Sequence, residues 1–209
     1  MQEQATFWRD SDLRNLEVMH ANYLTHEFAP HRHATFVTSV IDRGVGTLWY
    51  RGANHVAPAG SLVVLNPDEI HTGSVYGAEG WTYRALYPGV DLLASITDSM
   101  TERTSQVYFS SSPVLTDPTL ATLLRRLHSV LEENCSLLER ESELLNTYSY
   151  LFTHYAEHSL ALRSIGKESH AVQIAREYLE ANFASNVNAM HFLIDKSYPL
   201  LSHLLQGYP

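Results

Sequence analysis

Between Phe28 and Pro88 apolar and polar positions alternate with a period of two, rich in β-branched and aromatic residues and cut by Gly or Pro every eight to ten positions. That rhythm predicts a small β-barrel, with strands at about 34 to 42, 46 to 51, 54 to 57, 61 to 65, 71 to 76 and 80 to 87. Residues two apart on a strand share a face. An unbroken first strand would therefore set His31, His33, Thr35, Val37, Ser39, Ile41 and Arg43 on one side, while Trp81, Tyr83 and Ala85 share a face that Arg84 does not. Gly44-Val-Gly46 and Gly52-Ala-Asn54 tolerate the positive φ that hairpin turns need. The Leu62-Val-Val-Leu65 run predicts a strand buried on both faces. Residues 1 to 27 mix charges with Phe7, Trp8, Leu13, Leu16, Val18 and Tyr23 and read as an arm that packs partly on the barrel.

After Pro88-Gly89 the period becomes helical. Leu92, Leu93, Ile96 and Met100 form one short stripe, and Val107-Tyr-Phe109 reads as a returning strand. Asp117-Pro118 is an N-cap followed by proline at the first helical position, ahead of Leu120, Leu123, Leu124, Leu127, Val130 and Leu131. Ser136 and Glu139 have capping-box spacing, and the next stripe is Leu144, Leu145, Tyr148, Leu151, Phe152 and Tyr155. Two helices so closely joined are expected to pack antiparallel. Arg163 to Ser169 is polar, centred on a glycine and reads as a linker, after which Val172, Ala175, Leu179 and Phe183 mark a further helix.

Composition narrows the function. With 209 residues, 44% hydrophobic and 11% aromatic, the chain is long enough for one good core and a smaller appendage. Its 14 basic and 23 acidic residues leave a net charge of −9, against a broad surface for nucleic acid or anionic membrane. The single Cys135 allows no intrachain disulfide, no run of about 18 apolar residues is present, and the opening residues do not read as a signal peptide. A cytoplasmic protein is expected. No nucleophile motif, P-loop or dinucleotide fingerprint appears.

His31-Arg-His33, Arg43-Gly44-Val-Gly46, Pro58-Ala-Gly60, Asn66-Pro67-Asp-Glu-Ile-His71 and Gly80-Trp-Thr-Tyr-Arg-Ala-Leu-Tyr87 resemble the cupin barrel, specifically the sensor domain of AraC-type transcription regulators. Ala171 to Phe183 resembles the first helix of that family's helix-turn-helix domain. The resemblance implies an α+β fold: a cupin-like barrel with its arm (1–110), an antiparallel helical pair for dimerisation (111–162) and a partial helix-turn-helix domain (168–209). It places the Trp81 face inside the barrel and implies a small polar effector there, a sugar or a small carboxylate, between His31, His33, Thr35, Arg43, His71, Trp81 and Tyr83. It implies a homodimer through Leu144, Leu145, Tyr148, Leu151 and Phe152, and promoter DNA as the partner of the full family pattern. Residues 166 to 209 carry three basic and four acidic side chains, 3 − 4 = −1, so weak or absent DNA binding and a DNA-binding domain cut short are the expectation for this chain.

Two readings of the histidines stand side by side. His31, His33 and His71 have the topology of the metal site in cupin enzymes, and a metal-dependent isomerase or dioxygenase is the alternative function. That pattern wants a Glu about four residues after the second His, where this chain has Val37. The other reading is a pocket lined by imidazoles with no cofactor and no catalysis, and it is the one preferred. Trp81 and Tyr83 are equally compatible with a ligand-facing wall and with ordinary barrel filling.

Overall fold

The computed structural model describes residues 3–100, 107–109, 112–133 and 135–157. These lie in Met1–Leu162, the first of two units into which the chain divides. The predicted linker at 163 to 169, the helix of Val172 to Phe183 and the rest of the helix-turn-helix segment lie outside the described residues.

Among the described residues nine strands and three helices run in the order β1 (Gln4–Asp10), β2 (Leu16–Tyr23), β3 (Glu27–His31), β4 (Val37–Tyr50), β5 (Ala53–Pro58), β6 (Leu62–Leu65), β7 (His71–Val75), β8 (Trp81–Tyr87), α1 (Val90–Met100), β9 (Val114–Leu115), α2 (Pro118–Glu132) and α3 (Leu137–Tyr155). All pairing is antiparallel, in two sheets that share β4. The first half of β4 lies between β6 and β8; its second half lies between β5 and β7. The changeover comes at a bulge between Ile41 and Arg43 and at Gly44, whose φ is +73°. A Cβ on Gly44 would stand 1.9 Å from the Gly80 carbonyl oxygen, so conformation and space both demand glycine.

Gly44 is thus a bend within one strand and not the predicted hairpin turn; the strands expected at 34 to 42 and 46 to 51 are one. The predicted turn at Gly52 does form. Arg51 (φ 48°) and Gly52 (φ 81°) connect Tyr50 to its partner Ala53, the two-residue loop that suits strand twist. The expected arm is a further difference, since residues 4 to 23 make the hairpin β1–β2, turning at Arg14 and Asn15, both at positive φ. Arg140 of α3 clamps that turn through ion pairs with Asp10 and Asp12. Val107–Phe109 is not a strand, and the short return strand is β9.

Period-two alternation divides the core. One side of the β2–β8–β4–β6 sheet faces the helices: Leu16, Val18, Val40, Leu62, Val64 and Leu86 pack with Leu93, Leu124, Leu127, Leu144, Tyr148 and Phe152. The other side faces the barrel interior with Met19, Ala21, Val37, Ile41, Val63, Leu65, Tyr83 and Ala85. All four residues of β6 are buried, as its apolar run predicts. The expected caps are present: Asp117 accepts from the amides of Thr119 and Leu120, and Ser136 from that of Glu139.

The stripe assigned to dimerisation is spent differently. Leu144, Tyr148, Leu151 and Phe152 are at most 3% exposed and belong to the core between helices and sheet, leaving Leu145 on the outside at 43%. A helix stripe looks the same whether its partner is its own sheet or a second subunit.

Candidate functional site

The barrel interior is incompletely filled and holds a cavity of about 260 Å³. Ser39 and Ala57 stand where larger inward side chains would close the space, while Gly73 backs the Phe28 and Trp81 rings. A Cβ on Gly46 would come within 2.7 Å of the Trp81 ring, so this glycine is the seat of that indole. Trp81 stacks on Tyr83 at 4.3 Å between centroids and 22° between planes, giving a flat apolar wall. Val37, Leu48, Val63, Leu65 and Phe28 line the rest.

Polar groups gather at one end. His31 closes β3 and pairs in register with His71, which opens β7; His33 follows in the next loop. Their rings lie 4.4 to 5.2 Å apart between centroids, and one donor nitrogen from each falls within 4.8 Å of the others. His31 Nδ1 donates to the Ala29 carbonyl at 2.8 Å and His71 Nδ1 to that of Glu69 at 3.0 Å, which leaves Nε2 of both rings as the free lone pair. Burial, helped by the neighbouring His31 and His33 and opposed by the Glu69 carbonyl, lowers His71 to about 4. Burial and then His31 also lower His33. Neutral imidazoles are the state that binds metal ions or hydrogen-bonds a ligand.

The loop carrying His71 is braced from below. Arg51 holds the Glu69 carboxylate with two bonds of 2.6 Å, and the Tyr108 hydroxyl donates to it at 2.9 Å. Burial works to raise the Glu69 carboxyl, but the bonds from Arg51, Tyr50 and Tyr108 outweigh it and hold it below its ordinary value. Arg51 and Asn66 both donate to the Phe109 carbonyl, and the Glu157 amide, just past α3, donates to that of Tyr108 at 2.9 Å.

His31, His33, His71, Trp81 and Tyr83 meet in one cavity, but the unbroken strand expected to carry His31 and His33 does not form. β3 ends at His31, His33 lies in the loop before β4, and it is the β3–β7 pairing that sets His31 beside His71. Two expected members do not join them. Arg43 is exposed and off the cavity, because the bulge after Ile41 breaks the parity that aligned it with the histidines. Thr35 is half-buried beside a separate shallow hollow with Arg9, Asn15, Glu17, Arg32 and Tyr87. Neither Lys nor Arg lines the cavity among the described residues; Glu17, paired with Arg9 at 2.9 Å, is its one carboxylate. The structure adds Met19, Ser39 and Tyr87. Tyr87 and Ser39 share parity with Tyr83 and Val37 and were legible; Met19 was not, since nothing in the first 27 residues announces a strand.

Comparison with known proteins agrees with this geometry. The sequence model of the AraC-like ligand binding domain matches residues 15–147. A curated relative described as an uncharacterized HTH-type transcriptional regulator, YbfI of Bacillus subtilis, is 25% identical over 173 residues, 83% of this chain and 62% of the relative, so the chain spans about three-fifths of that protein. Among solved structures, an apo ToxT variant from Vibrio cholerae matches with a TM-score of 0.50 at 11% identity, covering 91% of this chain and 74% of its own. This supports the fold alone. A cupin-like protein from Thermotoga maritima covers 42% of this chain and 69% of its own, with a TM-score of 0.38 at 17% identity.

Proposed function

The chain belongs to the family of AraC-like ligand-binding domains, and from that premise we propose that it is the effector-sensing and pairing part of an AraC-type transcription regulator. The observation that carries this reading is the under-filled barrel: an interior cavity with an aromatic wall and a trio of imidazoles, within the residues that match the family. A barrel of this size is ordinarily filled by its own side chains, so the space left beside Ser39 and Ala57 is space for a ligand. We take the sensing barrel as residues 1–110, the helical region as 111–162 and the segment from 168 onward as helix-turn-helix sequence whose net charge of −1 over 166–209 leaves promoter contact by this chain weak or absent. Pairing of two copies falls to the leucines that α3 leaves exposed, Leu137, Leu138 and Leu145. Among the described residues no helix is long and apolar enough to cross a membrane.

A metal ion fits the imidazole trio by donor chemistry: three imidazole nitrogens, two of them on rings whose Nδ1–H is fixed by a carbonyl, suit Zn²⁺ with one position open. His31, His33 and His71 would hold it, and the ion would supply a Lewis-acidic anchor for an oxygen of the ligand. The same trio is the specific observation behind the second reading, a metal-dependent isomerase or dioxygenase. That reading lacks its carboxylate, because Val37 occupies the position and Glu69 is committed to Arg51 and Tyr108. We therefore read the chain as a sensor without catalysis.

Ala57 lines the cavity, and Ala57→Leu adds volume to its interior while His31, His33 and His71 are kept. Screening a metabolite library by thermal shift should find compounds that stabilise the native chain and not this variant. Compounds that stabilise both equally would place the ligand outside the barrel.

A further inference from the structure

Strand β8 crosses the cavity and lines it with Trp81, Tyr83 and Tyr87, which share one face of the strand with Ala85 by period two. Ala85 lies opposite Met19 in the β2–β8 register. Because Ala85 is small, the Met19 thioether rests between the two phenols that flank it. The Tyr87 hydroxyl reaches Met19 Sδ at 3.3 Å and that of Tyr83 at 3.8 Å. A thioether is a weak acceptor. No other hydrogen bond of either hydroxyl is seen among the described residues, so two strong donors in an apolar wall share a poor partner. Burial raises both phenols above their ordinary pKa, which keeps them protonated and donating at any physiological pH.

We infer that Tyr83 and Tyr87 read the effector, and that the effector is a flat, mainly apolar molecule with one hydrogen-bond acceptor rather than a sugar. This rests on the reading of the barrel cavity as the effector site and deepens it. An acceptor oxygen entering between the phenols replaces the sulfur as their partner, while the body of the molecule lies along the stacked Trp81 and Tyr83 rings. A sugar presents a hydroxyl on nearly every carbon. The imidazoles of His31, His33 and His71 serve only the polar end of the cavity, and hydroxyls that lie against Val37, Leu48, Val63 and Leu65 would be buried without partners. Size agrees: a dry cavity of about 150 Å³ takes benzene, and by that proportion about 260 Å³ takes a molecule of about ten non-hydrogen atoms.

The test is isothermal titration of the full chain with acetophenone, with cumene as the same shape lacking the acceptor, and with glucose and xylose. Acetophenone should bind about tenfold more tightly than cumene, in keeping with one added hydrogen bond. Tyr87→Phe and Tyr83→Phe keep the ring and remove the donor. Each should weaken acetophenone and leave cumene unchanged, with the thermal midpoint confirming that the variant folds. Equal binding of acetophenone and cumene, discrimination that survives both Phe variants, or no binding of acetophenone at millimolar concentration overturns the inference. Glucose or xylose binding that Ala57→Leu abolishes overturns it too, while leaving the cavity as the effector site. A probe bound equally by Ala57→Leu and the native chain defeats that underlying reading instead.

Discussion

The two faces of one sheet are built from the same strands and put to opposite uses. Toward the helices, β2, β4, β6 and β8 send Val18, Val40, Leu62, Val64 and Leu86 into a layer closed by large aliphatic and aromatic side chains from α1 to α3. Toward the barrel, the alternate residues of the same strands include Ser39, Ala85, Met19 and Tyr83, and space remains among them. Close packing on one face supplies stability, which lets the other face stay under-filled and responsive. The difference teaches where substitutions are felt: the helix-facing layer should fail as structure and the barrel-facing layer as recognition.

The largest break comes from the helix-facing side. Leu127 is fully buried between α2 and the sheet, and Leu127→Ala removes its contacts from a layer with little freedom to collapse. A loss of about 2–5 kcal/mol is expected by urea denaturation. A loss below 1 kcal/mol would show that the layer is loosely packed and the contrast between the faces false.

A polar seam in the same layer predicts a pH dependence. His128 of α2 has a side chain without solvent exposure; it accepts from Arg84 at 3.0 Å and donates to the Met19 carbonyl at 3.1 Å. Trp8 and His20 meet its ring edge-on, and Glu132 stands 3.7 Å away. Burial lowers it to about 4, with the Met19 carbonyl and Glu132 opposing and Arg84 and His20 assisting. The folded chain therefore keeps His128 neutral where the unfolded chain, at its ordinary 6.5, takes up a proton. The stabilisation is complete above about pH 6.5 and is lost as pH falls toward 4, by up to about 3 kcal/mol. Stability measured from pH 7.5 to 4.5 should drop through that window, and His128→Gln should make the drop shallower, leaving the part that belongs to His71, which burial also lowers to about 4. An unchanged slope in the variant would assign the loss to other groups.

On the barrel-facing side the same scale of change should cost much less. Ala57→Leu adds volume where volume is missing, so its effect on stability should stay within about 1.5 kcal/mol, although ligand binding is abolished. Denaturation and titration of one preparation check both halves. A variant destabilised as strongly as Leu127→Ala would mean that the cavity cannot accept added volume.

Much of this contrast was legible beforehand, and the failures have specific causes. The strands ending at Pro58, Leu65 and Tyr87, both helix caps and the shared face of Trp81 and Tyr83 follow from period two and turn chemistry, whereas the histidines meet through the β3–β7 pairing and the loop after β3, not through the single strand that period two suggests. Arg43 was misplaced because a bulge shifts parity by one residue and leaves no mark of its own. Gly44 suggests a hairpin turn where the strand only bends, because positive φ serves a turn and a bend equally. The hairpin β1–β2 was hidden because its turn uses Arg14 and Asn15 instead of glycine, and its exposed edge strand is largely polar. Met19 went unseen with it, and so did the thioether that holds the two phenols.

The smallest effect on stability belongs to a third surface that neither core uses. Leu138 and Leu145 of α3 are exposed at 74% and 43%, seven residues apart and so about two helical turns along one side of the helix. The buried stripe on the opposite side is already committed, so these leucines are what α3 has left for a second copy of the chain. Leu138→Glu with Leu145→Glu should change unfolding free energy by no more than about 0.5 kcal/mol per site in the monomer, the usual range for exposed positions. Two carboxylates at that seam would meet two more across a symmetric interface, so association should be lost while folding is kept. Sedimentation at micromolar concentration reads the outcome: a dimer that becomes monomer in the double variant supports pairing through α3. A native chain that is already monomeric, or a dimer indifferent to both substitutions, moves pairing off this helix.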